Sequence, residues 1–384
     1  MHLPIQKRGL LIIAYKLLVN DRSKFFALLM GVTFAVFLMI EMTSMFAGVL
    51  KRSSATVDNI GAEIWVMDSA VQNVSSAIPM PDYLLDAARS IEGAAYAVPV
   101  FTGNGLAHLK DGTFQAVSII GLDDSSLYGR PDLEAGNIAD IYGQDAFIIV
   151  KDNEYAKLEN PVIGTEFEIN DHRGVIIGVA KVASGGLFGI PTLYTTYNRA
   201  IQVLPQLRFT ISYILIKPKS AQDILHIKQE IKNLGYLALT HEEFDQRISD
   251  FYKYQTGFGI NLLLMTVISF VVGLSISGQT FYTFILENLE KFGALKAIGA
   301  KSSELIMMIL FQAFFTCLTG DGLGVGICSL LIMLAKMRLP DYAAIITFYN
   351  LAFAFAMVLI IASISSAAAI RRVLRIEPFD IFRG

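Results

Sequence analysis

The chain has 384 residues, of which 54% are apolar and 17% charged, a balance too apolar for an ordinary soluble protein. Its formal net charge of −3 and the lack of a basic stripe give no footing for a nucleic-acid partner. The two cysteines, Cys317 and Cys328, fall in one apolar segment; on a helix they would stand about 16 Å apart, which excludes a disulfide between them.

Charge is sparse over residues 25–50 and again from 260 onward, and ordinary between 51 and 255. The chain therefore reads as a membrane part interrupted by an insert long enough to bury its own core. The first apolar run, 10–14, is too short for a cleavable signal peptide, and Lys16, Asp21 and Arg22 follow it. The first long apolar segment is expected to stay as a signal anchor. Residues 1–24 read as a cytoplasmic amphipathic helix, with 10–19 lying in the membrane interface; an irregular tail is the alternative. The first span is predicted at 25–46, within a segment reaching to 50.

In the insert, 51–255, strand signals occupy 64–67, 95–100, 115–120, 146–150, 167–169, 174–179, 212–216 and 236–239. Trp65, the single tryptophan, lies in the first of them. Pro79 and Pro81 precede a helix over 82–91 that Gly93 ends, and a second helix covers 220–234. Residues 170–173 read as a hairpin turn. Thr240 and Glu243 form a capping box, opening a helix expected to pass Tyr252 and run on as a stalk into the second span. Strand–helix–strand pieces at both flanks predict a mixed α/β lobe, and the strand-rich stretch 123–206 predicts a second lobe.

Three more runs reach the roughly 20 residues needed to cross a bilayer: 260–286 (within 256–286), 305–334 and 345–370. Lysine and arginine gather before the first span, between the second and third, and in the tail 371–384. The link between the third and fourth spans carries only Lys336 and Arg338. That asymmetry places both termini in the cytoplasm and the insert outside. The expected fold class is membrane α-helical, four transmembrane helices, with a large α+β extracytoplasmic domain of two lobes.

No GxxxxGK[ST] loop occurs, so this chain is not expected to bind ATP or another cofactor. The five histidines lack metal-ligand spacing, and neither GxSxG nor HExxH appears, so no metal or catalytic site is expected. Gly320, Gly322, Gly324 and Gly326 read as small residues that let helices pack closely. Glu41 and Asp321 lie inside predicted spans, each about 24 Å from the inner end. Charge in hydrocarbon is costly, so the two acids either form a polar lining shared by their helices or reach the outer headgroups. In 287–304, Leu289, Phe292, Leu295 and Ile298 recur every third residue as one apolar face, while Glu287, Glu290, Lys291 and Lys296 lie off it. Gly299 marks a stop, and Ser302 or Ser303 can cap the next helix. The segment reads either as an amphipathic docking helix or as a surface turn.

The stretch Glu287-Asn-Leu-Glu-Lys-Phe-Gly-Ala-Leu-Lys-Ala-Ile-Gly-Ala-Lys301 resembles the loop after the second span of FtsX-like permeases, the membrane subunits of MacB-type ABC transporters. The ending Arg371-Arg-Val-Leu-Arg-Ile-Glu-Pro-Phe-Asp-Ile-Phe-Arg383 and the stretch Gly61-Ala-Glu-Ile-Trp-Val-Met-Asp68 resemble segments of the same group, and the layout of one span, an outer domain and three spans agrees. The resemblance implies a permease in a bacterial inner membrane, with its large domain in the periplasm. It implies a dimer with a second copy or a paralogue, and a separate cytoplasmic ABC ATPase bound through a coupling helix at 287–300. Glu287, Glu290, Lys291, Phe292, Leu295, Lys296 and Ile298 would serve that coupling. ATPase closure would be transmitted to an outer domain that moves cargo in the cell envelope, and permeases of the DevC type would add a membrane fusion protein. No fused ATPase domain accompanies the motifs, so the implied ATPase is another chain. The alternative is a signalling subunit, like FtsX, that switches an envelope hydrolase; the size of the insert favours transport.

Overall fold

The computed structural model describes residues 5–152, 154–182, 189–205, 208–339 and 342–375, with side chains from Gly9 onward. In chain order its elements are α1 (Ile5–Asn20), α2 (Arg22–Ile60), β1 (Ile64–Met67), α3 (Tyr83–Arg89), β2 (Ala94–His108), β3 (Phe114–Leu122), β4 (Leu133–Gly136), β5 (Ala146–Val150), β6 (Glu166–Ile169), β7 (His172–Ala180), β8 (Thr192–Thr196), α4 (Tyr197–Val203), β9 (Tyr213–Pro218), α5 (Asp223–Asn233), β10 (Leu237–Thr240), α6 (His241–Asp250), α7 (Gly257–Glu287), α8 (Leu289–Ala297), α9 (Ser302–Arg338) and α10 (Phe348–Leu374). Two compact units result. One takes the described residues up to Ala47, Ile260–Arg338 and the described residues from Ala344; the other takes Gly48–Gly259 with the link Leu339–Ala343.

In the first unit, α2, α7, α9 and α10 are long and apolar enough to cross a membrane, one for each predicted span. A helix satisfies its own backbone, which hydrocarbon requires. Asp21 caps α2, its carboxylate accepting from the Lys24 amide at 3.4 Å. Over Gly9–Asn20, α1 buries Ala14 and Leu18 but exposes Ile12, Ile13 and Tyr15 as well as Lys16, so it is apolar on both sides rather than amphipathic. Glycines set the closest helix approaches. A Cβ on Gly324 would stand 2.7 Å from the Val36 side chain, and one on Gly320 would stand 2.7 Å from Val32, whereas Gly322 and Gly326 have nothing within 4 Å. Half of the predicted glycine stripe therefore seats α9 on α2.

The second unit is organised by one mixed sheet in the order β10-β1-β9-β2-β3-β8-β5-β7-β4, with β6 bridging β2 and β7. Strand β1 is buried on both faces, which explains its unbroken apolar run. Ile64 and Val66 face α3 and α5, packing with Leu84, Ile227 and Ile231. Trp65 faces the other way, its ring centroid 5.4 Å from those of both Tyr213 and Phe244. Val57 and Ile60, from the end of α2, join that second core.

Strand β2 belongs to two structures at once. Its first half pairs with β9 and its second half with β3. Through β3, β8, β5, β7 and β6 the pairing returns to β2, closing a small barrel. Phe101, Ile119, Phe147, Ile149 and Leu193 fill it, with Ala200 and Val203 of α4. The second lobe therefore begins near residue 100, not 123, because β2 and β3 form its wall. Strands β4 and β8 and helix α4 were not foreseen.

Other expectations meet the structure in detail. Asn170 and Asp171 take positive φ (46° and 65°), the two-residue turn that joins β6 to β7. The capping box of Thr240 and Glu243 forms in full. The stalk expected beyond it does not run unbroken. Residues 251–255 form a π-helical turn and Thr256 is extended (φ −98°, ψ 148°) before α7 starts. The turn brings Gly259 so close that a Cβ there would lie 2.8 Å from the Tyr252 carbonyl oxygen, which only glycine accommodates.

Candidate functional site

The segment singled out in the sequence folds as α8, a two-turn helix between α7 and α9. Asn288 interrupts the helix before it: its buried amide donates to the Phe284 carbonyl at 2.8 Å, and Lys291 Nζ donates to its oxygen at 2.7 Å. The helix ends in a Schellman motif. Gly299 takes φ +105°, its amide bonds Lys296 O at 3.1 Å, and the Ala300 amide bonds Leu295 O at 3.0 Å. Neither serine caps α9. Both sit in its first turn, and Glu304 accepts from the Lys301 amide at 2.8 Å instead.

The predicted apolar face points inward. Phe292 is fully buried among Leu28, Phe284, Leu305 and Met308, with Leu289 and Leu295 packed at the edge of that core. Phe292 thus serves as a packing residue beneath α8 and presents no side-chain surface outward. Ile298, on the continuation of that face, is 85% exposed. Glu287 forms an ion pair with Lys24, which also holds Asp21 at 3.1 Å. Lys296 Nζ donates to the Leu374 carbonyl at 3.5 Å, tying α8 to the end of α10. The outward surface thus includes Glu290, Lys291, Ala294, Ala297 and Ile298.

The two intramembrane acids do not meet. Glu41 on α2 accepts from the Cys328 thiol of α9 at 3.7 Å. Asp321 lies two turns away along α9, about 10 Å, and its Oδ1 is buried without a hydrogen-bond partner among the described residues. A lining shared by both acids is therefore not formed within one chain. Gln312 escaped the sequence reading. It is fully buried and its amide donates to the Ala14 carbonyl at 2.8 Å, fastening α1 to α9. The available signal was a lone amide in an apolar run. The basic ending fares differently: 376–384 lie outside the described residues, and Arg371, Arg372 and Arg375 are exposed. Among the described residues no cluster of histidine, cysteine or acids suited to a metal occurs.

Two family models match this arrangement: an FtsX-like permease C-terminal region over residues 262–378 and a MacB-like periplasmic core domain over residues 25–234. The macrolide export ATP-binding/permease protein MacB of Salmonella paratyphi A is 22% identical over 276 residues, covering 67% of this chain and 42% of that protein. HrtB of Staphylococcus haemolyticus, a permease protein named for a hemin transport system, is 24% identical over 158 residues, covering 41% of this chain and 43% of its own. The chain thus spans less than half the length of the first relative. Among solved structures, the extracellular domain of the ABC-type transporter YknZ from Gram-positive bacteria is similar with a TM-score of 0.36 and 17% identity, covering 47% of this chain and 99% of that domain. The periplasmic region of MacB from Actinobacillus actinomycetemcomitans is similar with a TM-score of 0.36 and 15% identity, covering 50% and 96%.

Proposed function

This chain belongs to the MacB-like periplasmic core domain family, and we propose that it serves as the permease subunit of an ATP-driven transporter in the bacterial cytoplasmic membrane. The observation that carries the reading is α8, a short helix whose inner face is locked by Phe292 and whose outer face is free of the bundle. A cytoplasmic ABC ATPase from a separate chain docks there, against Glu290, Lys291, Ala294 and Ile298. Closure of the ATPases displaces α8. Two ties pass that displacement on: Lys296 of α8 to the end of α10, and Glu287, the last residue of α7, to Lys24 at the start of α2. Helix α2 then continues to Ile60 without a break. A second copy or a paralogue completes the membrane unit, and the outer domain moves cargo in the envelope without passing it between the helices; a membrane fusion protein would receive it.

Affinity purification of the tagged chain from its host in a mild detergent tests the reading. An ATPase subunit is expected to come with it. Recovery of a folded chain without an ATPase overturns the proposal. Recovery of a cell-wall hydrolase together with the ATPase would turn it toward signalling.

A further inference from the structure

Thr56 lies in the last turns of α2 and is only 7% exposed, yet its hydroxyl has no hydrogen-bond partner among the described residues. It faces a recess of about 170 Å³ in the outer unit. The floor is made by two cross-strand pairs, Thr102 opposite Ile120 and Asn104 opposite Ser118. These continue the face on which β2 first carries Val98 and Val100, so that an apolar face turns polar where the recess opens. Ser75 closes one side. The side chains of Ser75, Thr102, Asn104 and Ser118 likewise have no partner among the described residues. Ser75 and Asn104 are exposed and Thr102 and Ser118 half-buried, so these polar groups are open to water or to a ligand in the recess.

The lining selects the ligand. No ionisable side chain borders the recess, so phosphates, carboxylates and amines find no counter-charge. An extended peptide finds no edge to extend. Beside the recess, the Thr102 backbone is bonded by the Ser212 hydroxyl, and that of Leu106 by Asn170. What remains is neutral hydroxyl and amide groups around the apolar side chains of Ile120 and Val74. That pattern complements the hydroxyl rim and C–H faces of a sugar ring. A water's share of liquid volume is about 30 Å³, so the recess has room for about six waters, the scale of one hexose ring.

We propose that this recess binds one neutral saccharide ring, a site that does not depend on the transporter reading. The test uses the full chain in nanodiscs, free of glycoside detergent, with saturation-transfer NMR of methyl glucoside and N-acetylglucosamine. Galacturonate and trialanine serve as charged and peptide controls. Binding of a neutral sugar is expected, with at least tenfold weaker binding for Asn104→Ala and Thr56→Val at unchanged unfolding temperature. Asn104 is exposed, so its variant remains informative should Thr56→Val fold poorly. No transfer from either neutral sugar, equal binding by both variants, or preference for trialanine would each overturn the proposal.

Discussion

Asp123 organises the turn that follows β3. Its carboxylate accepts from Ser125 Oγ at 2.6 Å, Ser126 Oγ at 2.8 Å and the Ser126 amide at 2.9 Å. Burial pushes this carboxyl up, but the hydrogen bonds from the two serines outweigh it and hold its pKa below the ordinary 3.8. A depressed folded-state pKa contributes stability that is present above the unfolded value and lost as pH falls through the folded one. Asp123→Asn is expected to destabilise the chain by about 1–2 kcal/mol at neutral pH. The difference from the parent should shrink below about pH 4, as read by thermal unfolding across pH. A difference that stays constant down to the acid limit would assign the effect to shape rather than charge.

At the scale of elements, α8 divides its residues sharply. Phe292→Ala removes a fully buried ring and is expected to destabilise the membrane unit by about 3–5 kcal/mol. Ile298→Asp alters an exposed side chain and should leave stability within about 0.5 kcal/mol while releasing the ATPase. Unfolding temperature together with co-purification separates the two; retention of the ATPase by Ile298→Asp would remove the outward face from the coupling role. The period-three pattern left a helix and a surface turn both open in the sequence, and which end of the apolar face stays exposed depends on packing against α2 and α9. The same division holds elsewhere. Spans, β1 and the capping box are local patterns, and each was readable. The second half of β2 was not, because Thr-Gly-Asn-Gly reads as a turn. In the structure, Gly103 and Gly105 line the inside of a narrow barrel, where a Cβ on them would press on Leu204 at 3.0 Å and Ile169 at 2.9 Å. Strand β8, Thr192–Thr196, is fully buried yet carries three threonines, so neither alternation nor an apolar run announced it.

Over the whole chain, the two connections between the units differ. Helix α2 is one continuous helix from Arg22 to Ile60, and Ser53–Val57 near its end are buried without exception. Arg52 binds Glu154 at 3.2 Å, and Lys157 binds the same carboxylate at 2.8 Å. Glu154 is 1% exposed, so removing either cation would leave its buried charge less well compensated. The return connection passes through the extended Thr256. Helix α2 thus has no break along its length, whereas the backbone before α7 has one. Two glycines inserted between Ala47 and Gly48 should therefore uncouple the outer unit. With a probe on Cys in place of the exposed Leu225, the parent assembled with its ATPase should show an ATP-dependent change in probe mobility, and the insertion variant should lose it while hydrolysing ATP at a similar rate. Persistence of the change would mean that the motion travels through α7 despite its break, and α2 would be an anchor rather than a transmitter.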